Sequence, residues 1–246
     1  MLKNKDINKD IKERGLPLPF ERVQALQRGV TQFRFPVKPQ YGGMNHGGFI
    51  MESTDRTRRR GDAIFYSGDD IVLAPSYAYA RCPYGKPGDR LFVKEPWGTG
   101  TRPDPFEGWR DGIEYKADEV YLDEHDLLPL YSECVPDNVC LDDYYKAGWR
   151  SSIHMPRWAS RYLLEVVSVR VERVQDIEGV NLAKEGVIER DFREIENFKP
   201  YSYDGKNWHG SGRFAFAEFW DFMNKKKFGW EVNPWVWVVE YRSIEG

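Results

Sequence analysis

The chain has 246 residues, with 36 basic and 39 acidic side chains that leave a formal net charge of -3, and this length suits one large domain or two small ones. No apolar run approaches the roughly 20 residues of a membrane-spanning helix, and the charged N-terminus lacks the apolar core of a signal peptide. The composition therefore argues against a membrane protein and predicts a chain that stays in the cytoplasm.

The first quarter of the chain predicts a polar arm, a helix and a strand. Residues 1–15 are mostly charged, and we expect a frayed arm there. Phe20 to Arg28 has apolar side chains at helical spacing, which predicts a short helix. Thr31 to Val37 alternates like a strand, with phenylalanines on one face and Arg34 on the other. Glycine and charge dominate residues 41–60, which we expect to form a flap or linker.

A turn, a long insertion and two strands follow. Residues 86–93 (KPGDRLFV) predict a turn that leads into a strand. Residues 98–148 are rich in proline, glycine and acids, and they predict a long insertion. Tyr162 to Val174 is dense in β-branched residues and predicts the strongest strand, with Val167 and Val171 on one face.

Two helices and a last strand complete the predicted elements. Asn181 to Glu185 predicts a short helix closed by Gly186, and Arg213 to Lys227 predicts the main helix, with a buried aromatic stripe. Pro234 to Tyr241 alternates like a strand. Many strands, few helices and no repeated βαβ unit predict an α+β fold with a small antiparallel or mixed β-barrel.

Residues 149–161, WRSSIHMPRWASR, combine basic and aromatic side chains just ahead of the strongest predicted strand. Arg157 and Arg161 can donate to a phosphate or a base edge, and Trp158 offers a face for stacking. His154 can exchange a proton near neutral pH. The segment predicts a nucleotide pocket, and the alternative is a structural role in which arginines lie over core tryptophans.

Lys94, Glu95 and Trp97 follow the strand after the KPGD turn, where the mouth of a barrel would admit a ligand. Trp97 could stack on a base and Lys94 could contact a phosphate, while Glu95 could accept from an exocyclic amine. The alternative is an ion pair at a strand end over a core tryptophan.

Histidine and cysteine spacing argues against a metal site. The odd cysteine count has no CxxC pair, and no histidine belongs to an HExxH or zinc-deaminase signature. The residues concerned are Cys82, Cys134, Cys140, His46, His125, His154 and His209. We expect reduced thiols and no cofactor.

Charge is unevenly distributed along the chain. Nine acidic residues and no Lys or Arg fall between residues 118 and 143, whereas arginines gather at residues 56–60 and 150–173. A local basic face allows an acidic protein to bind nucleic acid. The acidic stretch predicts a solvated insertion, with mimicry of nucleic-acid charge or a contact with a protein partner as alternatives.

The element order and three segments together resemble the ASCH domain of the PUA-like superfamily, and more narrowly the larger ASCH proteins of bacteriophages and prophages. The segments are CPYGKPGDRLFVKEPW, WRSSIHMPRWASRYLLEVVSVRVERVQDI and AKEG. The resemblance implies one PUA-like domain over residues 16–246, with insertions at about residues 41–80 and 98–148. It also implies a cleft that binds RNA or a modified nucleoside, in the host cytoplasm if a phage encodes the chain.

Combining the residue patterns with the resemblance gives a predicted cleft in which arginines orient phosphates and tryptophans stack on bases. The predicted ligand-binding residues are Arg34, Lys94, Glu95, Trp97, His154, Arg157, Trp158 and Arg161.

Some small ASCH proteins are amidohydrolases that deacetylate N4-acetylcytidine with a lysine, a threonine and a glutamate. In the segment LQRGVTQFRFPV, Val30 falls where the lysine belongs and Phe33 where the second threonine belongs. Thr31 and Glu185 remain, and Lys94 would have to replace the lysine. We therefore expect a binding module, with two alternatives: an amidohydrolase, or a phage protein that binds a host partner through the acidic stretch.

Overall fold

A computed structural model of the chain describes residues 11–50, 60–71, 76–104, 108–123, 148–190 and 200–244. Strands outnumber helices in this part of the chain, which confirms the expected α+β class. The strands are β1 (Glu13–Pro17), β2 (Gln32–Pro36), β3 (Asn45–Phe49), β4 (Ala63–Tyr66), β5 (Tyr77–Ala80), β6 (Arg90–Lys94), β7 (Trp97–Asp104), β8 (Gly108–Tyr115), β9 (Tyr121–Asp123), β10 (Leu163–Arg173), β11 (Ile188–Glu189), β12 (Tyr201–Ser202) and β13 (Trp235–Ile244). The helices are α1 (Phe20–Gln27), α2 (Val180–Lys184) and α3 (Gly212–Phe228).

The residues divide into two compact units. Unit 1 comprises Met1–Arg28, Gly88–Glu165 and Arg242–Gly246, and unit 2 comprises Gly29–Pro87 and Val166–Tyr241. The boundaries between the units fall inside β10 and β13, so both strands contribute residues to each unit.

In unit 1, β6 pairs with β1 in parallel and with the first residues of β10 in antiparallel fashion. Strand β1 begins at Glu13, so the last residues of the expected polar arm belong to a strand. The expected insertion at residues 98–148 begins with a regular meander, β7-β8-β9, in which Trp97 pairs with Tyr115.

In unit 2, β2 pairs with β13 in antiparallel register, with Arg34 opposite Val238 and Gln32 opposite Glu240. The flap expected at residues 41–60 is wrong for Asn45–Phe49, which forms β3 of the meander β3-β4-β5. His46 of β3 packs on the ring of Phe65 at 5.6 Å between centroids, so aromatic packing offsets the weak strand preference of the glycines.

The predicted strand at residues 162–174 is confirmed as β10, but its predicted face is only partly correct. Val171 is buried, whereas Val167 is 47% exposed and the neighbouring Leu164 and Val166 are buried. The buried positions therefore change phase along the strand, which a strict alternation of residues does not reveal.

The barrel implied by the sequence is not found, because the strand orders of the described residues are open and close into no ring. Most of the acidic stretch, at residues 124–147, lies outside the described residues, as does the arginine run up to residue 59; the proposed contact with a host partner therefore stays a prediction. None of the helices seen in these ranges is both long enough and apolar enough to cross a bilayer.

Candidate functional site

The predicted site residues are divided between the two units. Unit 1 holds Lys94, Glu95, Trp97, His154, Arg157, Trp158 and Arg161, whereas unit 2 holds Thr31, Arg34 and Glu185. Each group is therefore described within its own unit.

The two predicted stacking tryptophans of unit 1 lie in its hydrophobic core. Trp97 is completely buried and Trp158 is 6% exposed, and their rings meet edge to face at 6.4 Å between centroids. Met155 and Tyr115 belong to the same buried cluster. Arg150 lies 5.1 Å from the centre of the Trp97 ring. This arrangement is the structural alternative that the sequence left open, because the faces of both rings pack on protein.

Arg161 binds two carboxylates at once. Its guanidinium donates to both oxygens of Glu95, at 2.8 and 2.9 Å, and to both oxygens of Asp118, at 2.8 and 2.9 Å. It also stacks 4.1 Å above the ring of Tyr115. Burial raises the pKa of Glu95, although the bonds from Arg161 oppose this effect. For Asp118, burial acts in the same direction, but the bonds from Arg161 prevail and its pKa is lowered. The guanidinium thus holds together the turns that follow β6 and β8 and the start of β10.

The other predicted residues of unit 1 lie nearer the surface. Lys94 donates from Nζ to the backbone carbonyl of Ile153 at 2.5 Å, and Arg157 pairs with Glu13. His154 is the one exposed residue among the seven predicted in this unit, and Trp149 at the start of the motif is 47% exposed. The motif therefore combines a buried half that stabilises the core with an exposed half at the surface.

Unit 2 contains a larger group of hydrogen-bonded polar side chains, which we call the polar cluster. It is formed by alternate residues of β2 and β10, by one residue of β13, and by residues at both ends of α2. Its members are Gln32, Arg34, Ser168, Arg170, Glu172, Asn181, Lys184, Glu185 and Glu240.

The centre of the polar cluster is the ion pair between Arg34 and Glu185, whose side chains are both completely buried. Arg34 donates from Nη1 to Glu185 at 2.8 Å and from Nη2 to Glu172 at 2.8 Å. The amide of Gln32 donates to the same Glu185 oxygen at 3.1 Å. One guanidinium therefore joins a carboxylate at the C-terminal end of α2 to a carboxylate of β10.

The outer part of the polar cluster is partly exposed to solvent. Arg170, 31% exposed, donates to Glu172, to the side-chain oxygen of Gln32 at 2.8 Å and to the side-chain oxygen of Asn181 at 3.0 Å. A second chain of hydrogen bonds joins Lys184 and Ser168 through the carboxylate of Glu240. The bond from Lys184 is the largest influence on Glu240 and holds the pKa of that carboxyl below its ordinary value.

Local sequence explains how Glu185 reaches the cluster. The residue after Glu185 is Gly186, which has a φ of +98°. A Cβ atom added at this position would lie 2.8 Å from a methyl group of Val30. Any larger residue would therefore be strained and would collide with the chain just before β2. The backbone N–H of Thr31 donates to the carbonyl of Lys184 at 3.1 Å, which fastens the start of β2 to the end of α2.

Sequence reasoning found Arg34 and Glu185 but missed most of their partners. Ser168, Arg170 and Glu172 repeat with a period of two along β10, and this pattern places three polar side chains on one face of a strand. The pattern was visible in the sequence, although it is equally typical of a strand face exposed to solvent.

The three candidate catalytic residues are not all in one unit. Thr31 is exposed and lies in unit 2, beside the end of α2 that precedes Glu185, whereas Lys94 belongs to unit 1.

Within the described ranges, no three His, Cys, Asp or Glu side chains form a group that could hold a metal ion. Comparisons with protein-family models, with curated proteins and with solved structures return no match.

Replacing Arg161 by alanine is predicted to lower the free energy of unfolding by about 3–5 kcal/mol at neutral pH, because the buried carboxylate of Glu95 loses its partner. The pKa of Glu95 then rises further, and that of Asp118 returns toward its ordinary value. A carboxyl whose pKa is higher in the folded than in the unfolded state lowers the stability of the fold as pH rises. The deficit relative to wild type therefore grows as the pH rises above the ordinary pKa of a glutamate, about 4.3.

Urea denaturation at several pH values measures this effect. Arg242→Ala is the matched control, because Arg242 also pairs with a carboxylate, that of Glu165, but its side chain is 67% exposed. Loss of such a surface pair costs about 0–1 kcal/mol. Two results would contradict the stabilising role of Arg161: an equal loss of unfolding free energy in the two variants, or a loss in Arg161→Ala that does not change with pH.

Proposed function

We propose that the chain is a nucleic-acid-binding module of the ASCH type, with a PUA-like fold, which receives a base of RNA or a modified nucleoside at the polar cluster. The observation that carries the proposal is the completely buried Arg34–Glu185 pair within a connected group of six polar side chains, beside a second hydrogen-bonded chain of three. The β-rich α+β composition and the resemblance of the sequence to phage ASCH proteins support the same proposal.

Folding alone does not explain such a group. Desolvation of two charges offsets most of their attraction, and apolar side chains of similar size often give equal or greater stability. Interacting ionisable groups at partly buried positions are candidates for functional sites. The cluster has this character, since Arg34 and Glu185 are buried while Arg170, which bonds to Gln32 and Glu172, is about one third exposed.

The chemistry of the cluster suits a nucleobase. The amides of Gln32 and Asn181 each carry donors and an acceptor, the carboxylates accept from exocyclic amines, and the arginines donate to carbonyl oxygens and ring nitrogens. Three cations are balanced by three carboxylates, namely Arg34, Arg170 and Lys184 against Glu172, Glu185 and Glu240. This balance favours a neutral ligand with several hydrogen-bonding edges over a free phosphate.

Calorimetric titration with cytidine, N4-acetylcytidine, adenosine and short single-stranded RNA and DNA tests the proposal. Arg170→Ala removes bonds to Gln32 and Asn181 at a partly exposed position, and Glu185→Gln removes the buried charge without a change of shape. Each variant is expected to weaken binding by about 1–3 kcal/mol, the value of a good bidentate contact to a base.

Glu178→Gln serves as the control, because Glu178 is an exposed carboxylate of the same unit outside the polar cluster. Thermal unfolding of each variant separates loss of binding from loss of fold. The proposal is wrong if no nucleoside or oligonucleotide binds to the wild-type protein, or if folded Arg170→Ala and Glu185→Gln bind as tightly as the control.

A second candidate function is hydrolysis of the acetyl group of N4-acetylcytidine through Thr31 and Glu185, the two of the three candidate catalytic residues that belong to unit 2. The hydrogen bond from the Thr31 amide to the residue before Glu185 favours it, because it joins the threonine and the glutamate to one piece of backbone. Acetate release by the wild-type protein, lost in Glu185→Gln and kept in Glu178→Gln, is the expected result for an enzyme. If the wild-type protein releases no acetate, this second function is excluded and nucleic-acid binding remains the proposal.

A further inference from the structure

A second surface of unit 2 combines lysines with an exposed aromatic ring, and we call it the basic patch. The C-terminal part of α3 and the end of β2 line an open cavity of about 970 Å³ there. The residues that define the patch are Lys38, Lys225, Lys226, Lys227, Phe222 and Phe228. It shares no residue with the polar cluster.

We propose that the basic patch binds the phosphate backbone of a single-stranded nucleic acid, with one base stacked on Phe222. The inference goes beyond the proposed function, since it concerns a strand held by its backbone rather than a nucleoside held by its edges.

The net charge of the patch is positive because its four lysines outnumber the two carboxylates that also line the cavity, Glu218 and Asp221. Glu218 bonds to the imidazole of His209 at 2.8 Å, and Asp221 accepts from the backbone N–H of Trp230 at 2.6 Å. None of the four lysines forms an ion pair with a carboxylate in the part of the chain that the structure describes. Their charges therefore remain available to an anion from solution.

Two of the lysines lie close to the aromatic ring of Phe228. The Nζ atoms of Lys38 and Lys227 lie 5.7 and 5.6 Å from the centre of the Phe228 ring. Each ammonium is attracted to the ring, and the two like charges are brought into one small region of the surface. Their summed positive potential attracts an anion such as a phosphate.

The aromatic component is Phe222, which is 71% exposed although it belongs to the main helix. A different face of the same helix packs into the core, where Phe216 and Trp220 are completely buried. Phe222 thus leaves a large apolar face in water, one helical turn before three consecutive lysines. Cations for the backbone next to an exposed ring for the bases are the combination found in proteins that bind single strands.

Single strands fit this surface better than duplexes or acidic proteins. A base must be unstacked before it can lie on an aromatic ring, and duplex bases are not. Lysines contact phosphates as point charges and give little base specificity, so binding should be insensitive to sequence and sensitive to salt. An acidic peptide would satisfy the lysines but would leave Phe222 without a stacking partner.

Fluorescence anisotropy with labelled single-stranded oligonucleotides, RNA and DNA in separate arms, tests the proposal on the full chain at several salt concentrations. Replacing Lys225, Lys226 and Lys227 by glutamine is expected to reduce the slope of log K against log salt by about 0.7 for each phosphate that a lysine no longer neutralises. Phe222→Ala is expected to weaken binding on the order of tenfold.

The chain offers matched controls for both changes. Phe214 lies on the same helix and is also 71% exposed, so Phe214→Ala removes an equally exposed ring outside the patch. Lys206→Gln removes an exposed lysine of unit 2 outside the patch. Both controls should bind like the wild type.

Three results would overturn the inference: no binding of either oligonucleotide, variants of the patch that bind like their controls, or poly-glutamate that competes as well as RNA of equal charge. Failure of the proposed function gives a different pattern. In that case free nucleosides do not bind and Arg170→Ala has no effect, while oligonucleotide binding still depends on the lysines and Phe222.

Discussion

The buried ion pair between Arg34 and Glu185 is the interaction on which the polar cluster depends. Arg34 projects from β2 on the face opposite the phenylalanines, and Glu185 follows the last residue of α2. Their bond is 2.8 Å long and excludes solvent, so either charge alone would be strongly unfavourable. The pair therefore fixes the end of α2 against β2, and Gln32, Glu172 and Arg170 are ordered around it.

The two units use buried charge differently. In unit 1, both oxygens of Glu95 and both oxygens of Asp118 are bonded to Arg161, and Asp118 also accepts from Gln27 and from the backbone of Val120, so the group stabilises turns. In unit 2, the buried charges of Arg34 and Glu185 are linked through Glu172 and the amide of Gln32 to the partly exposed Arg170. The second arrangement can exchange some of its internal bonds for bonds to a ligand, whereas the first has little to exchange.

Much of the fold follows from periodicity, and the sites depend on tertiary pairing. Helices α1 and α3 and strands β2 and β13 lie close to their predicted ranges because their apolar residues repeat with a clear period, and β10 does so because it is dense in β-branched residues. Glycine-rich β3 was missed because its order comes from contacts such as His46 with Phe65. Glu172 was missed as a partner of Arg34 because Arg34 of β2 and Glu172 of β10 come together only in the folded sheet, where β13 lies between the two strands. Trp97 and Trp158 were candidates for both stacking and core, and the structure places them in the core.

The most direct measurement of the central claim is an NMR titration that follows the side-chain Nε–H groups of arginines while a nucleoside is added. Arg34 and Arg170 belong to the polar cluster, whereas Arg161 is bonded to Glu95 and Asp118 in unit 1. A ligand at the polar cluster is expected to shift the resonances of Arg34 and Arg170 in a saturable manner and to leave that of Arg161 unchanged. Resonances of Arg34 and Arg170 that stay fixed at saturating nucleoside would contradict the account.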